Sequence, residues 1–160
     1  MLETVVHIEC RYLGMRDSAP SLELAYLEEG LLGQYDNERE VITLSCNYIV
    51  DSGSSGYLVV QVLCHEIYHR YQRYQVNLFQ AIRDSDDTAK YANLLFLGNT
   101  EVYEEEFSNY ISPDDNSVVS YYLYSSQKLE RDAEKYGNAS VVDYYEQIRS
   151  WVQTNKTDGN

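Results

Sequence analysis

Apolar and polar residues alternate at the start of the chain, between Thr4 and Leu13. One side of this alternation carries Val6, Ile8, Cys10 and Tyr12. A period of two residues is typical of a strand with one buried face. The pattern therefore predicts a first strand here.

The segment that follows combines three features of a helix. Ser18 can cap the helix, and Pro20 is tolerated in a first turn. Apolar residues then recur at helical spacing: Leu22, Leu24, Ala25 and Leu27. These features predict a helix that ends near Gly30.

Two short apolar runs, residues 31–35 and 40–46, flank the polar tetrapeptide Asp36-Asn37-Glu38-Arg39. Strand-like runs on both sides of a short polar turn are typical of a β-hairpin. We expect residues 41–46 to form an edge strand that pairs with an extended peptide.

A long segment from Tyr57 to about Arg83 contains neither Gly nor Pro, and a loop with several serines precedes it at residues 52–56. Serine is a good N-cap, so the pattern predicts one long helix. Residues 88–111 form a second long segment, interrupted near Gly98-Asn99, and residues 112–116 form a turn. Two further helices are expected at residues 118–136 and 141–152, separated by Gly137-Asn138.

The length of 160 residues fits a single domain, which we assign to residues 1–155, with a polar tail at 156–160. The formal net charge is −14 and no basic cluster is present, which argues against nucleic acid and anionic membranes as partners. No apolar run is long enough to span a membrane.

Three cysteines argue against a disulfide scaffold. The start lacks the features of a signal peptide, so we expect a cytoplasmic protein if the chain is complete, or a domain of an exported one.

The pentapeptide His65-Glu66-Ile67-Tyr68-His69 lies inside the predicted long helix. Four helical residues advance about 400° and about 6 Å, so both imidazoles project from one face. This spacing allows them to bind one zinc ion, while Glu66 flanks the metal and can act as general base. The alternative is a pair of ordinary helix histidines.

A catalytic zinc site needs a third protein ligand and one open position. The remaining histidine, His7, lies far upstream. Glu130 and Glu134 share one face of a later predicted helix. We interpret Glu130 as the third ligand and Glu134 as a hydrogen-bond acceptor for a ligand histidine, with Asp132 as a competitor for that supporting role. The alternative is an ordinary charged helix face.

Two motifs in this chain resemble the zinc-binding motifs of the gluzincins, a clan of zincin metallopeptidases: His65-Glu66-x-x-His69 and, about sixty residues later, Glu130-x-x-Ala133-Glu134. In that clan the Glu of the second motif is the third ligand, and the fourth residue after it supports a ligand histidine. The resemblance is to small, minimal gluzincins and covers residues 31–137. Glu134 stands where the clan usually has Asp.

The clan also stabilises an oxyanion, and no His or Arg is obviously placed for this. Tyr121, Tyr122 and Tyr124 can donate the hydrogen bond, although ordinary core packing is the favoured interpretation of these residues. Cys64 precedes His65 but points in a direction about 100° away, so we do not expect it to bind the same metal. Four acidic residues are interpreted as a solvated helix face rather than a cation site: Glu101, Glu104, Glu105 and Glu106.

The resemblance implies an α+β, zincin-like fold of the minimal gluzincin type, with a small twisted sheet packed on the active-site helix and C-terminal helices closing the lower side. It also implies a zinc metalloendopeptidase that hydrolyses peptide or protein substrates, with Glu66 as general base. The alternatives are a zinc-binding regulatory module without turnover and a latent enzyme. The presence of Glu66 argues against the former, because a structural zinc site does not need that carboxylate.

Overall fold

The computed structural model describes residues 2–15, 19–50, 55–84, 98–113 and 117–157. These residues form a mixed α+β protein that is mostly helical and has one three-stranded sheet. None of the described helices is long and apolar enough to cross a membrane. The elements in chain order are α1 (Leu2–Tyr12), β1 (Ser21–Ala25), β2 (Gly33–Asp36), β3 (Val41–Ser45), α2 (Cys46–Val50), α3 (Gly56–Arg83), α4 (Thr100–Ser108), α5 (Val118–Ser126) and α6 (Lys128–Thr157).

The first element is the helix α1, so the predicted strand between Thr4 and Leu13 is wrong. Two members of the alternating set, Ile8 and Tyr12, are exposed. The side chains that α1 buries are spaced as on one helix face: Val5, Val6, Glu9 and Cys10. A short apolar pattern fits both the two-residue period of a strand and the 3.6-residue period of a helix. Packing against α3 selects the helix.

The helix predicted to end near Gly30 is also wrong, because Ser21–Ala25 is the strand β1. This strand pairs in parallel with β3, with Leu22 opposite Ile42. The backbone hydrogen bonds of this pairing join two segments that are distant in the chain. The spacing of apolar residues within one segment therefore does not predict them. The expected cap, Ser18, lies outside the described residues.

The predicted hairpin is confirmed, since β2 and β3 pair antiparallel. The Asp36 carboxylate accepts hydrogen bonds from the backbone N–H groups of Glu38 and Arg39, and Glu40 adopts a positive φ of 53°. Such side-chain contacts are typical of tight turns.

The strand order is β1-β3-β2, so β3 is central and paired on both sides. The expectation that residues 41–46 form an edge strand for peptide pairing is therefore wrong. All five residues of β3 are buried. Among the described strands, β1 and β2 each have a free edge, and β2 packs more extensively against α3 than β1 does.

The long helix α3 is confirmed, from Gly56 to Arg83. Ser55 is its N-cap, and its hydroxyl oxygen accepts a hydrogen bond from the Leu58 N–H. The other two serines of the predicted loop lie outside the described residues. The three-stranded sheet and α1 both pack on α3, around a core that includes Ile42, Leu63 and Ile67.

The second predicted long segment is described only from residue 98, where a turn at Gly98-Asn99 precedes α4. Residues 85–97 and the end of the predicted turn, 114–116, lie outside the described residues. The helix α6 runs to Thr157 and so enters the predicted tail.

The boundary between the last two helices lies at Gln127, and the predicted break at Gly137-Asn138 is wrong. The Gln127 side chain bonds both the N–H and the carbonyl of Ile111. The Glu106 carboxylate accepts hydrogen bonds from the N–H groups of Lys128 and Leu129. These contacts satisfy the first N–H groups of α6, so a new helix begins there.

Gly137 lies within α6 where this helix packs closely against the backbone of α3. A Cβ at this position would lie 2.7 Å from the carbonyl oxygen of Gln61 and 3.3 Å from the amide nitrogen of His65. Glycine therefore allows the two helix backbones to pack closely. Glycine at this position reflects close packing between helices and not the end of a helix.

Candidate metal centre

The two motif histidines face each other across one turn of α3. The Nε2 atoms of His65 and His69 are 3.0 Å apart. The spacing of four residues produces this arrangement, because such residues lie on the same face of a helix. Their side chains are only 21% and 14% exposed.

The carboxylate of Glu130 completes the cluster from α6. Its Oε2 lies 3.4 Å from His65 Nε2, and its Oε1 lies 3.5 Å from His69 Nε2. These are the residues that the sequence predicts as ligands. Three potential ligand atoms from two helices thus lie within 4.8 Å of one another.

The distances within this cluster fit a zinc ion. Ligand atoms bonded at about 2.0–2.1 Å to a tetrahedral ion lie about 3.3–3.4 Å apart. The two histidine nitrogens are 3.0 Å apart, and they lie 3.4 and 3.5 Å from two different oxygens of the Glu130 carboxylate, separations close to that value. Two imidazoles and one carboxylate are also a donor set that catalytic zinc sites use, with the fourth position open.

Two tyrosine hydroxyls hold the Glu130 carboxylate. Tyr110 donates to Oε1 and Tyr124 donates to Oε2, each at 2.6 Å. Glu130 is 3% exposed, so an isolated carboxylate there would be costly. Burial disfavours its charged form, but hydrogen bonds from His65, His69 and Tyr110 outweigh burial and hold the pKa of Glu130 well below its usual range. A lowered pKa favours the ionised form of this carboxylate.

The sequence does not predict this tyrosine pair. Tyr124 is one of three sequence candidates for stabilising an oxyanion, and in the structure its hydroxyl donates to Glu130. Tyr121 lines the cleft, whereas Tyr122 is 68% exposed and is not among the described residues that line it. No local pattern marks Tyr110, which precedes Glu130 by twenty residues and reaches it only through tertiary packing.

The side chain that orients His69 is Gln72, and the supporting role expected of Glu134 does not fit the structure. His69 Nδ1 lies 2.9 Å from Gln72 Oε1, and the Gln72 amide donates to the Leu129 carbonyl of α6. Glu134 is exposed on the outer side of α6. Asp132 accepts instead from Tyr103. The spacing of three residues between His69 and Gln72 is the feature from which this contact could have been predicted.

The electrostatics of His69 follow from its neighbours. Burial would lower the pKa of His69, but hydrogen bonding to Glu130, together with the charges of Glu130 and Glu66, raises the pKa to about 9.

Glu66 lies against the strand β2 and is 6% exposed. Burial raises the pKa of Glu66, opposed by the nearby histidines and by a hydrogen bond from the Tyr35 backbone. A Cβ on Gly33 would lie 3.2 Å from Glu66 Cγ and 2.8 Å from a Val62 methyl group. The glycine therefore allows β2 to approach α3 beside Glu66.

A cleft of about 1130 Å³ opens over these residues. Its walls include β2 on one side and the tyrosines near α5 on the other. Its volume exceeds that of most small-molecule pockets, and an open cleft suits an extended chain. Among the described residues, those that line it with acidic, basic or imidazole side chains are Glu28, Glu29, His65, Glu66, His69 and Arg73.

The remaining sequence candidates lie elsewhere. His7 is exposed on α1, and Cys64 is buried in the core, so neither belongs to the cluster. In α4, Glu104 contacts Gln80 and Arg83. Among the described residues, the acidic row of α4 is not part of any group arranged to hold a metal.

Comparison with known proteins yields no match to this chain among family models, curated proteins or solved structures.

Proposed function

We propose that this chain is a zinc-dependent metallopeptidase with the zincin-like architecture implied by its motifs. The main support is the position of Glu130, within 3.4–3.5 Å of both His65 and His69 although about sixty residues separate them from it. Such a distant third ligand is not a consequence of the helical motif. The buried Glu66 beside it supplies the group that hydrolysis requires.

In the proposed reaction, zinc and Glu66 have separate tasks. When bound, zinc would act as a Lewis acid that polarises the peptide carbonyl and makes water more acidic. As the oxygen of the attacking water bonds to the carbonyl carbon, Glu66 accepts a proton from that water. Glu66 then donates this proton to the leaving nitrogen as the C–N bond breaks. The products are a carboxylic acid and an amine.

The free edge of β2 is the proposed place for the substrate backbone. Gly33, Gln34 and Tyr35 line the cleft, and β2 pairs with β3 along its other edge. A peptide in extended form can add to such an edge through main-chain hydrogen bonds. This replaces β3, which the sequence suggested for the same role.

Zinc content and hydrolysis together test the proposal. Elemental analysis of protein purified without added metal should give one zinc per chain. A mixed peptide library should be cut, chelation should abolish cutting, and added zinc should restore it. Absence of zinc, combined with no thermal stabilisation on zinc addition, would rule out the metallopeptidase. Bound zinc without cutting would favour the zinc-binding module or the latent enzyme.

A further inference from the structure

Within the described part of the chain, Arg73 differs from the neighbouring basic residues in its contacts with acidic groups. Arg70 contacts the Glu40 carboxylate at 2.9 Å, and Arg83 contacts Glu104 at 3.2 Å. No carboxylate of the described residues lies within ion-pair distance of Arg73. In a chain with a net charge of −14, a cation without a carboxylate partner among the described residues is unusual.

The Arg73 guanidinium is held in place on the wall of the cleft. Its central carbon lies 3.7 Å from the centroid of the Phe107 ring, a cation–π contact that fixes its plane. Its Nε atom is buried without a hydrogen-bond partner. Arg73, Phe107 and Tyr35 all line the cleft that contains Glu66. A buried polar group without a partner is costly, and a ligand that bonds it recovers that cost.

We propose that Arg73, with Phe107 and Tyr35, forms a subsite that binds a carboxylate of the peptide substrate. Arg recognises carboxylates through paired N–H donors, and fixing its plane increases the selectivity of that contact. The carboxylate belongs to an acidic side chain or to a free C-terminus. This substrate class rests on the proposed peptidase function.

The charges around the cleft support this assignment. Glu40 acts on Tyr35 through its charge and through a side-chain hydrogen bond, and its carboxylate is paired with Arg70. Glu28 and Glu29 line the cleft near the start of β2, away from the Tyr35 end. A peptide carboxylate is therefore repelled at the end of the cleft that carries Glu28 and Glu29, and attracted at the end that carries Arg73.

The spacing along α3 gives the position of the recognised residue. Arg73 follows Glu66 by seven residues, which corresponds to about 10 Å along the helix axis. An extended peptide advances about 3.3 Å per residue. The carboxylate is thus expected about three residues from the scissile bond, on the side towards the end of β2.

Peptide binding to zinc-loaded E66Q protein tests the subsite without requiring turnover. The probes are fluorescent, amidated peptides of neutral sequence that carry one Glu, Gln or Lys at successive positions. We expect the best Glu peptide to bind about 10–100-fold more tightly than its Gln counterpart, as expected for a hydrogen bond to a charged group. The same peptides with a free C-terminus distinguish a terminal carboxylate from an acidic side chain.

Variants at Arg73 identify the residue responsible. In the E66Q background, R73Q should remove the preference for Glu, R73E should shift it to Lys, and R73K should retain part of it. R11Q removes an exposed charge from α1 and should change nothing. If R73Q does not fold, R73K and the salt dependence of Glu-peptide binding still decide the question, since an ionic contact must weaken with salt.

Wild-type cleavage of the same peptides separates the subsite from the proposed function. Cleavage without a Glu preference would overturn the subsite and leave the peptidase intact. Arg73-dependent binding of Glu peptides without cleavage would support the subsite and contradict the peptidase. Equal binding of Glu and Gln peptides, or no binding of either, would overturn the subsite.

Discussion

Gly137 of α6 packs against the backbone of Gln61 on α3, where a Cβ would lie 2.7 Å from the Gln61 carbonyl oxygen. The neighbouring side chains of Gln61 and Asn138 form a hydrogen bond of 2.6 Å across the same crossing. About two turns earlier in α6, Glu130 reaches the histidines. The close helix crossing therefore positions the third ligand of the candidate centre.

The substitution G137A is expected to destabilise the protein although Ala normally stabilises a helix. Overpacking costs about 1–3 kcal/mol, which exceeds the roughly 1 kcal/mol by which Ala is favoured over Gly in helices. Zinc affinity should fall as well, because the Glu130-bearing helix is displaced. Urea unfolding and zinc titration measure both effects. G56A is the control, since no atom lies within 4 Å of a Cβ there; equal stability of the two variants would contradict the packing argument.

The variants E130A and E134A should differ sharply in zinc content. Glu130 is buried in the cluster, whereas Glu134 is exposed. Removing a residue that supports a metal ligand typically weakens metal affinity about 10–100-fold. Removing the ligand itself should weaken zinc affinity by more than that. E134A should bind zinc as the wild type does. Competition with a zinc chelator gives the two affinities, and the reverse order would mean that the wrong carboxylate has been assigned.

Removing either tyrosine hydroxyl from Glu130 should weaken zinc binding without unfolding the protein. Y110F and Y124F each delete one hydrogen bond of 2.6 Å while retaining the ring. We expect a loss of about tenfold in zinc affinity for each. Y122F is the matched control, because Tyr122 is exposed and does not contact Glu130 in the structure. An affinity unchanged in both test variants would show that the hydroxyls do not position the carboxylate.

The variant E66Q separates catalysis from metal binding. Gln retains the size of the side chain and a hydrogen-bonding group but cannot accept the proton. Loss of a general base costs about 10²–10⁴-fold in rate, while His65, His69 and Glu130 are intact and should hold zinc as before. Cleavage rate and zinc content are measured on the same preparations. Cleavage at the wild-type rate would exclude Glu66 as the base.

Sequence patterns predict the hairpin and α3 because local interactions stabilise both. The turn at residues 36–39 is closed by the side chain of Asp36, and α3 begins at a serine cap. The first two elements were predicted wrongly for the opposite reason. In α1 and β1, apolar residues fit more than one periodicity, and contacts with α3 and β3 select between them.

The positions of His65, Glu66 and His69 relative to one another followed from the sequence alone, because helix geometry sets distances within a single turn. The sequence also identified Glu130 as a candidate, although only tertiary packing brings it beside both histidines.

Other features of the site were decided by the tertiary structure. Tyr110 and the edge strand β2 have no sequence signature that places them at the centre. Their contacts depend on how helices and strands distant in the chain pack together. Gly137 shows why, since a glycine that locally suggests the end of a helix lies where the backbone of α3 packs closely against α6.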